Sequence, residues 1–174
     1  FSLGAGAAQV GLVEFNHDAA VLSGLTSSFD SLDSALEGAS AAGGLTSVSD
    51  GLSAGLGVVD GAGSRAGVRR TILLLTDGVQ TADGDDRDAI AEASVVKAAG
   101  VQLVAVGFGS ARASTLSAIA SSPSTFYMGD DMEAIRDHFR EASLCSLAAS
   151  PSVPPSPPLP PSPPALPPFS PSPP

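Results

Sequence analysis

Proline is the residue that most constrains this chain. It fixes its own φ and lacks a backbone N–H, so it stops helices and cannot donate to a sheet ladder. Of the 15 prolines, all but Pro123 lie from Pro151 onward, in units such as Ser156-Pro157-Pro158, Leu159-Pro160-Pro161 and Ser162-Pro163-Pro164. Such a composition excludes helix and sheet and enforces polyproline II, a rod on the order of 75 Å long at roughly 3.1 Å per residue. Every Asp, Glu, Lys and Arg precedes Leu144. An uncharged, proline-dense segment cannot build a solvated globular surface, so the sequence divides into one folded domain, residues 1–147, and one proline-rich stalk, residues 148–174.

Ahead of the stalk the chain is rich in Ala, Gly, Val and Leu and poor in aromatics. That is material for one core of small and branched side chains. The formal net charge of -10 argues against nucleic acid as a partner, because such binding depends on cations that displace counterions from phosphates. Arg65, Arg69 and Arg70 make a local basic cluster just before an apolar strand, and they read as solvated residues of a connecting loop. The longest apolar stretch, Thr71 to Thr76, is strand-sized and far short of a transmembrane helix. No signal-peptide pattern opens the chain. Phe1 starts in what reads as the middle of a domain.

Strands and helices alternate along the domain. Ala8 to Phe15 reads as a strand ending in the turn Asn16-His17-Asp18, with a second short strand near Ala19 to Leu22. Phe29, Leu32, Leu36 and Ala39 recur at helical spacing behind Ser28 or Asp30 as N-cap, and Gly43-Gly44 is the expected stop. Thr46 leads into a second helical pattern through Val48, Leu52, Leu56 and Val59, which closes in a glycine-rich loop. Val68 to Thr76 reads as a strand buried on both faces. It stops at Asp77-Gly78. A helix from Asp86 to Ala99, a buried strand from Val101 to Val106, a short helix from Ser114 to Ala120 and a strand at Phe126-Tyr127-Met128 follow. The domain is expected to end in an amphipathic helix, Asp130 to Ala142. This alternation predicts an α/β fold: right-handed crossovers and a Rossmann-like, doubly wound, mostly parallel sheet with helices on both faces. In such sheets function sits at the carboxyl ends of the strands, where Asp77 lies.

Three segments, AAQVGLVEFNHD from Ala7 to Asp18, Gly43-Gly44-Leu45-Thr46, and ILLLTDG from Ile72 to Gly78, resemble the von Willebrand factor A-type domain in order and spacing. Val101 to Phe108 and Phe126 to Cys145 fit that family's last two strands and final helix. The resemblance implies a divalent ion, usually Mg²⁺, at a metal-ion-dependent adhesion site built from loops at the strand ends. A DxSxS motif, a loop threonine and the aspartate of a TDG-like turn hold the ion. By position Thr46 is the loop threonine and Asp77 the turn aspartate. Hydroxyl and carboxylate oxygens suit a small hard ion that wants about six of them, and an acidic residue of a protein partner can fill the open position.

Each residue also has a plainer reading. Asp77-Gly78 is a common turn pair, and Thr46 could cap the helix that follows. Ser47 and Ser49 read as cap or surface residues. Asp83, Asp85 and Asp86 lack the terminal Glu of an EF-hand loop, and read as a solvated loop capping the next helix. No DxSxS occurs in the chain. The resemblance implies that this motif and the first strand, which runs through the middle of the sheet, precede Phe1. A sheet without its central strand has two unpaired ladders and an open core, so the natural protein is expected to continue N-terminally.

Cys145 is the lone cysteine. Extracellular members of the family often pair a cysteine there with one before the first strand, which implies a disulfide to a partner outside this chain; a free buried thiol is the alternative. The SPP-rich stalk resembles the hydroxyproline-rich, extensin-like glycoproteins of plant and green-algal walls, which implies glycans on the stalk and an extracellular place. The other reading is a PxxP ligand for SH3 or WW domains. The leading functional expectation is a non-catalytic adhesion or matrix module binding a protein ligand through Mg²⁺. A metal-free structural role in a glycoprotein fibre, alongside other matrix glycoproteins, is the second. A phosphohydrolase, suggested by a strand-end Asp, is the third.

Overall fold

The computed structural model describes residues 3–4, 6–40, 44–82, 84–129, 133 and 136. The final helix, Cys145, Asp83 and the proline-rich stalk lie outside the described residues.

Strands β1 (Val10–Phe15) and β2 (Ala19–Thr26) form an antiparallel hairpin. Its turn is tied by Asn16 N donating to Asp18 O at 2.9 Å. Helix α1 (Phe29–Glu37) starts at Ser28, whose Oγ accepts from Ser31 N at 3.2 Å. It stops at Gly38, ahead of the glycine pair expected to end it, where the Gly38 N–H donates to Ser34 O and Leu36 O. Helix α2 (Val48–Asp60) is capped by Ser47, whose Oγ accepts from Asp50 N at 3.3 Å.

A second, wholly parallel sheet follows. Strands β3 (Thr71–Thr76), β4 (Gln102–Gly107) and β5 (Phe126–Met128) lie in the order β3-β4-β5. Helices α3 (Asp86–Ala98) and α4 (Ala113–Ile119) make the crossovers. Alternate residues of β4 serve two cores. Leu103 and Ala105 meet Leu74, Val96, Leu116 and Ile119 on one face, while Val104 and Val106 meet Leu75, Phe108 and Tyr127 on the other. Burial on both faces, expected of the Leu-rich β3, belongs to β4. Leu73 of β3 is 44% exposed, since β3 pairs with β4 alone among the described residues.

Helix α2 lies against both sheets, and glycine permits it. A Cβ on Gly51 would stand 2.8 Å from Phe15 Cγ of the hairpin, and one on Gly55 would stand 3.3 Å from Ile72 Cδ1 of the parallel sheet. The far end of the helix is held by an ion pair between Asp60 and Arg70, which also donates to Ala99 O. Arg70 is thus an anchor, where the sequence read it as solvated. Above α2, a cleft of about 610 Å³ separates β1 from β3, lined by Val10, Leu12, Leu52, Ile72 and Leu74 among others.

Candidate metal centre

Strand β3 delivers Asp77 to the carboxyl end of the parallel sheet. Thr76, the last strand residue, is buried, and its Oγ1 accepts from Gly78 N at 3.2 Å, which folds the chain back immediately after Asp77. Asp77 is exposed, and its backbone oxygen accepts from Ser110 N at 2.8 Å. Gly109 lets that neighbouring loop come so near. Its φ is +58°, and a Cβ there would stand 3.3 Å from Asp77 O.

Thr46 arrives from the loop before α2. Ser47 N donates to Asn16 O at 2.6 Å, which ties this loop to the hairpin turn. The backbone of Thr46 is gripped from the other side: Thr46 N donates to Thr81 Oγ1 at 2.8 Å, and Thr46 O accepts from Thr81 N at 2.9 Å and from Ala82 N at 3.2 Å. The result brings the two sequence-assigned residues to one place. A Cβ on Gly78, the neighbour of Asp77, would lie 3.1 Å from Thr46 Oγ1. The capping role open to Thr46 in the sequence is taken by Ser47.

Two polar residues that sequence reasoning did not single out lie on the segment that follows Asp77. Gln80 is 6% exposed. Its Nε2 donates to Ser49 Oγ at 3.0 Å and to Ala82 O at 2.7 Å, and its Oε1 accepts from Ser49 N at 3.1 Å. Asp85 caps α3 in a reciprocal box with Asp88, as expected of the acidic loop. Asp86 is not solvated, however. Its side chain is 16% exposed, and its Oδ2 accepts from Arg112 Nη1 and from Thr115 Oγ1, each at 2.8 Å. Burial pushes the Asp86 carboxyl up, but the Thr115 hydroxyl and the Arg112 guanidinium, with a smaller contribution from the Gln80 backbone, outweigh it and hold the group below its ordinary value. Its Oδ1 is buried and has no partner of bonding geometry among the described residues.

The sequence profile of the von Willebrand factor type A domain matches residues 1–141. The chain belongs to that family. This A-type domain is similar in fold to proximal thread matrix protein 1 of the mussel byssus, in a structure described as having a zinc-occupied MIDAS motif, with 25% identity and a TM-score of 0.70. The match covers 84% of this chain and 36% of the mussel protein. The chain therefore spans about a third of that relative's length. It is also similar in fold to the pilus adhesin SpaC of Lactobacillus rhamnosus GG, at 16% identity and TM-score 0.67, over 80% of this chain and 25% of the adhesin. A third likeness is the vWF domain of the type V pilus tip protein Mfa5 of Porphyromonas gingivalis, at 12% identity and TM-score 0.64, over 79% and 80% of the two chains. No curated protein sequence matches.

The residues of the A-type domain fit a hard divalent ion. One hydroxyl and one exposed carboxylate, both with oxygen as the ligating atom, stand on neighbouring loops, and glycine at position 78 leaves open the space beside the Thr46 hydroxyl. Among the described residues no group of three or more His, Cys, Asp or Glu gathers into a metal cluster. Thr46 and Asp77 are thus two oxygen-bearing side chains on neighbouring loops. The contacts of Gln80 with Ser49 were not legible in the sequence, since a lone Gln in a turn has no pattern of its own. Asp86 was hidden by its acidic neighbours.

Proposed function

We propose that this A-type domain is a non-catalytic adhesion or matrix module that engages a protein ligand through a divalent cation, Mg²⁺ or another hard ion. Thr46 and Asp77 contribute a hydroxyl and a carboxylate, and an acidic side chain of the ligand takes the open coordination position. The observation that carries this reading is the approach of the Thr46 hydroxyl to Gly78, next to the exposed Asp77. The likeness to a matrix protein with a metal-occupied motif and to pilus adhesins supports it. Among the described residues β1 pairs with β2 alone and β3 with β4 alone, on either side of the cleft. On this reading the domain works outside the cell. Cys145 joins a cysteine beyond this chain, and the stalk is a hydroxylated, glycosylated spacer.

The test is a titration of EDTA-stripped full-length protein with Mg²⁺, with and without a short peptide carrying one central Asp. Wild type should bind the ion and then the peptide, and Asp77→Ala should lose both. A folded wild-type protein that takes up no divalent cation would favour the metal-free structural role instead.

A further inference from the structure

We infer that Gln80 is the positioning residue of the cation site: its side-chain amide sets the separation between the loop that carries Thr46 and the loop that carries Asp77. This rests on the metal reading above. A primary amide offers one acceptor oxygen and two donor hydrogens, and here all of that capacity is directed at the two loops. Oε1 satisfies Ser49 N, one of the donors in the first turn of α2 that have no partner within the helix. Nε2 holds Ser49 Oγ, which lies 3.3 Å from the capping Ser47 Oγ. The amide thereby grips the helix start directly behind Thr46.

The second donation, to Ala82 O, closes the turn from Gln80 to Ala82. That turn presents Thr81 N, Ala82 N and Thr81 Oγ1 to the backbone of Thr46. One side chain thus shapes the grip on Thr46 and fastens it to the helix start, three residues after Asp77 in the chain. Alternatives fail for stated reasons. Glu cannot donate, and would set a carboxylate oxygen against the Ala82 carbonyl. Leu fills the volume and takes away the partner of Ser49 N and of Ala82 O.

The geometry matters because Mg²⁺ tolerates little departure from octahedral coordination. Groups that orient metal ligands typically change affinity by roughly 10–100-fold when removed. The experiment uses the full-length protein and compares Gln80→Leu and Gln80→Glu with wild type, with Asp77→Ala, and with Ile119→Ala as a core change at the end of α4. Two quantities are read: Mg²⁺ affinity by calorimetry at a temperature where every variant is folded, and amide exchange at Thr81 and Ala82 in EDTA. Both Gln80 variants should lose about tenfold or more in Mg²⁺ affinity and exchange faster at both amides, whereas Ile119→Ala should lower the melting temperature and leave Mg²⁺ affinity unchanged. Should one Gln80 variant not fold, the other decides. Unchanged Mg²⁺ affinity in a folded Gln80 variant, with binding lost in Asp77→Ala, overturns the inference and leaves the metal reading standing. Unchanged exchange at Thr81 and Ala82 also overturns it, with no reference to metal. A wild-type protein that binds no Mg²⁺ removes the metal reading and this role together.

Discussion

The hydroxyl oxygen of Thr46 stands 3.1 Å from the point a Cβ on Gly78 would occupy. At that distance the neighbour must give by a few tenths of an ångström, and the neighbour is a proposed metal ligand. Gly78→Ala should therefore weaken Mg²⁺ binding while moving the melting temperature little. Calorimetric titration and scanning calorimetry on the same samples separate the two effects. A fall in stability with affinity intact would mean that the space beside the Thr46 hydroxyl has no part in holding the ion.

Thr46 itself can be dissected by chemistry rather than size. Its backbone bonds to Thr81 and Ala82 do not depend on the side chain. Thr46→Ser keeps the hydroxyl and should retain Mg²⁺ binding; Thr46→Ala keeps the backbone grip and should lose it. Equal affinities in the two variants, measured by titration, would assign the ion to other oxygens.

Asp86 predicts a pH dependence. Its carboxyl is held below the ordinary value in the folded state, so the folded protein favours the ionised form more than the unfolded chain does. The stabilisation is fully present above the unfolded carboxyl pKa of about 3.9 and is lost as pH falls through the lower folded value. Asp86→Asn should lower the melting temperature near neutral pH and make its fall below about pH 4 shallower than in wild type. Melting curves from about pH 7 down to about pH 2 would show this. Parallel acid limbs would mean that other carboxylates carry the effect.

The close packing of the parallel sheet predicts intolerance at Gly107. A Cβ there would collide with Leu116 Cδ1 and lie 2.7 Å from Met128 Sδ and 3.0 Å from Ala111 Cβ, which has no rotamer with which to move away. Gly107→Ala should destabilise by about 1–3 kcal/mol through overpacking. Leu52→Ala, which empties a fully buried position on α2, should cost about 2–5 kcal/mol. Urea unfolding of each variant gives both values on one scale.

What the sequence disclosed follows from what periodicity can encode. The β-branched and Leu-rich run ending at Thr76, the Val101 to Val106 strand and the helical spacing through Val48, Leu52 and Leu56 each report a local repeat, and each became the expected element. Thr46 and Asp77 were reached through family resemblance, and the fold sets their loops together. Three features were illegible because they depend on what lies across the chain. Leu73 is exposed because of which strand lies beside β3, not because of its own type. Arg70 and Asp86 are anchored by partners distant in sequence, Asp60 and Arg112. Gln80 acquires its role from Ser49 on another element.

Helix α2 is fastened at both ends, by Gln80 on Ser49 at its start and by Arg70 on Asp60 at its finish, while resting on the hairpin through Gly51 and on the parallel sheet through Gly55. It is in effect a strut between two plates. A pull exerted on the Thr46 loop is shared between the hairpin turn, through Ser47 N and Asn16 O, the Thr81–Ala82 turn, and the helix, which leads to the Asp60–Arg70 joint at its far end. The Asp60–Arg70 ion pair therefore takes part of any load placed on the start of the helix, a mechanical role for a contact that lies well away from Thr46.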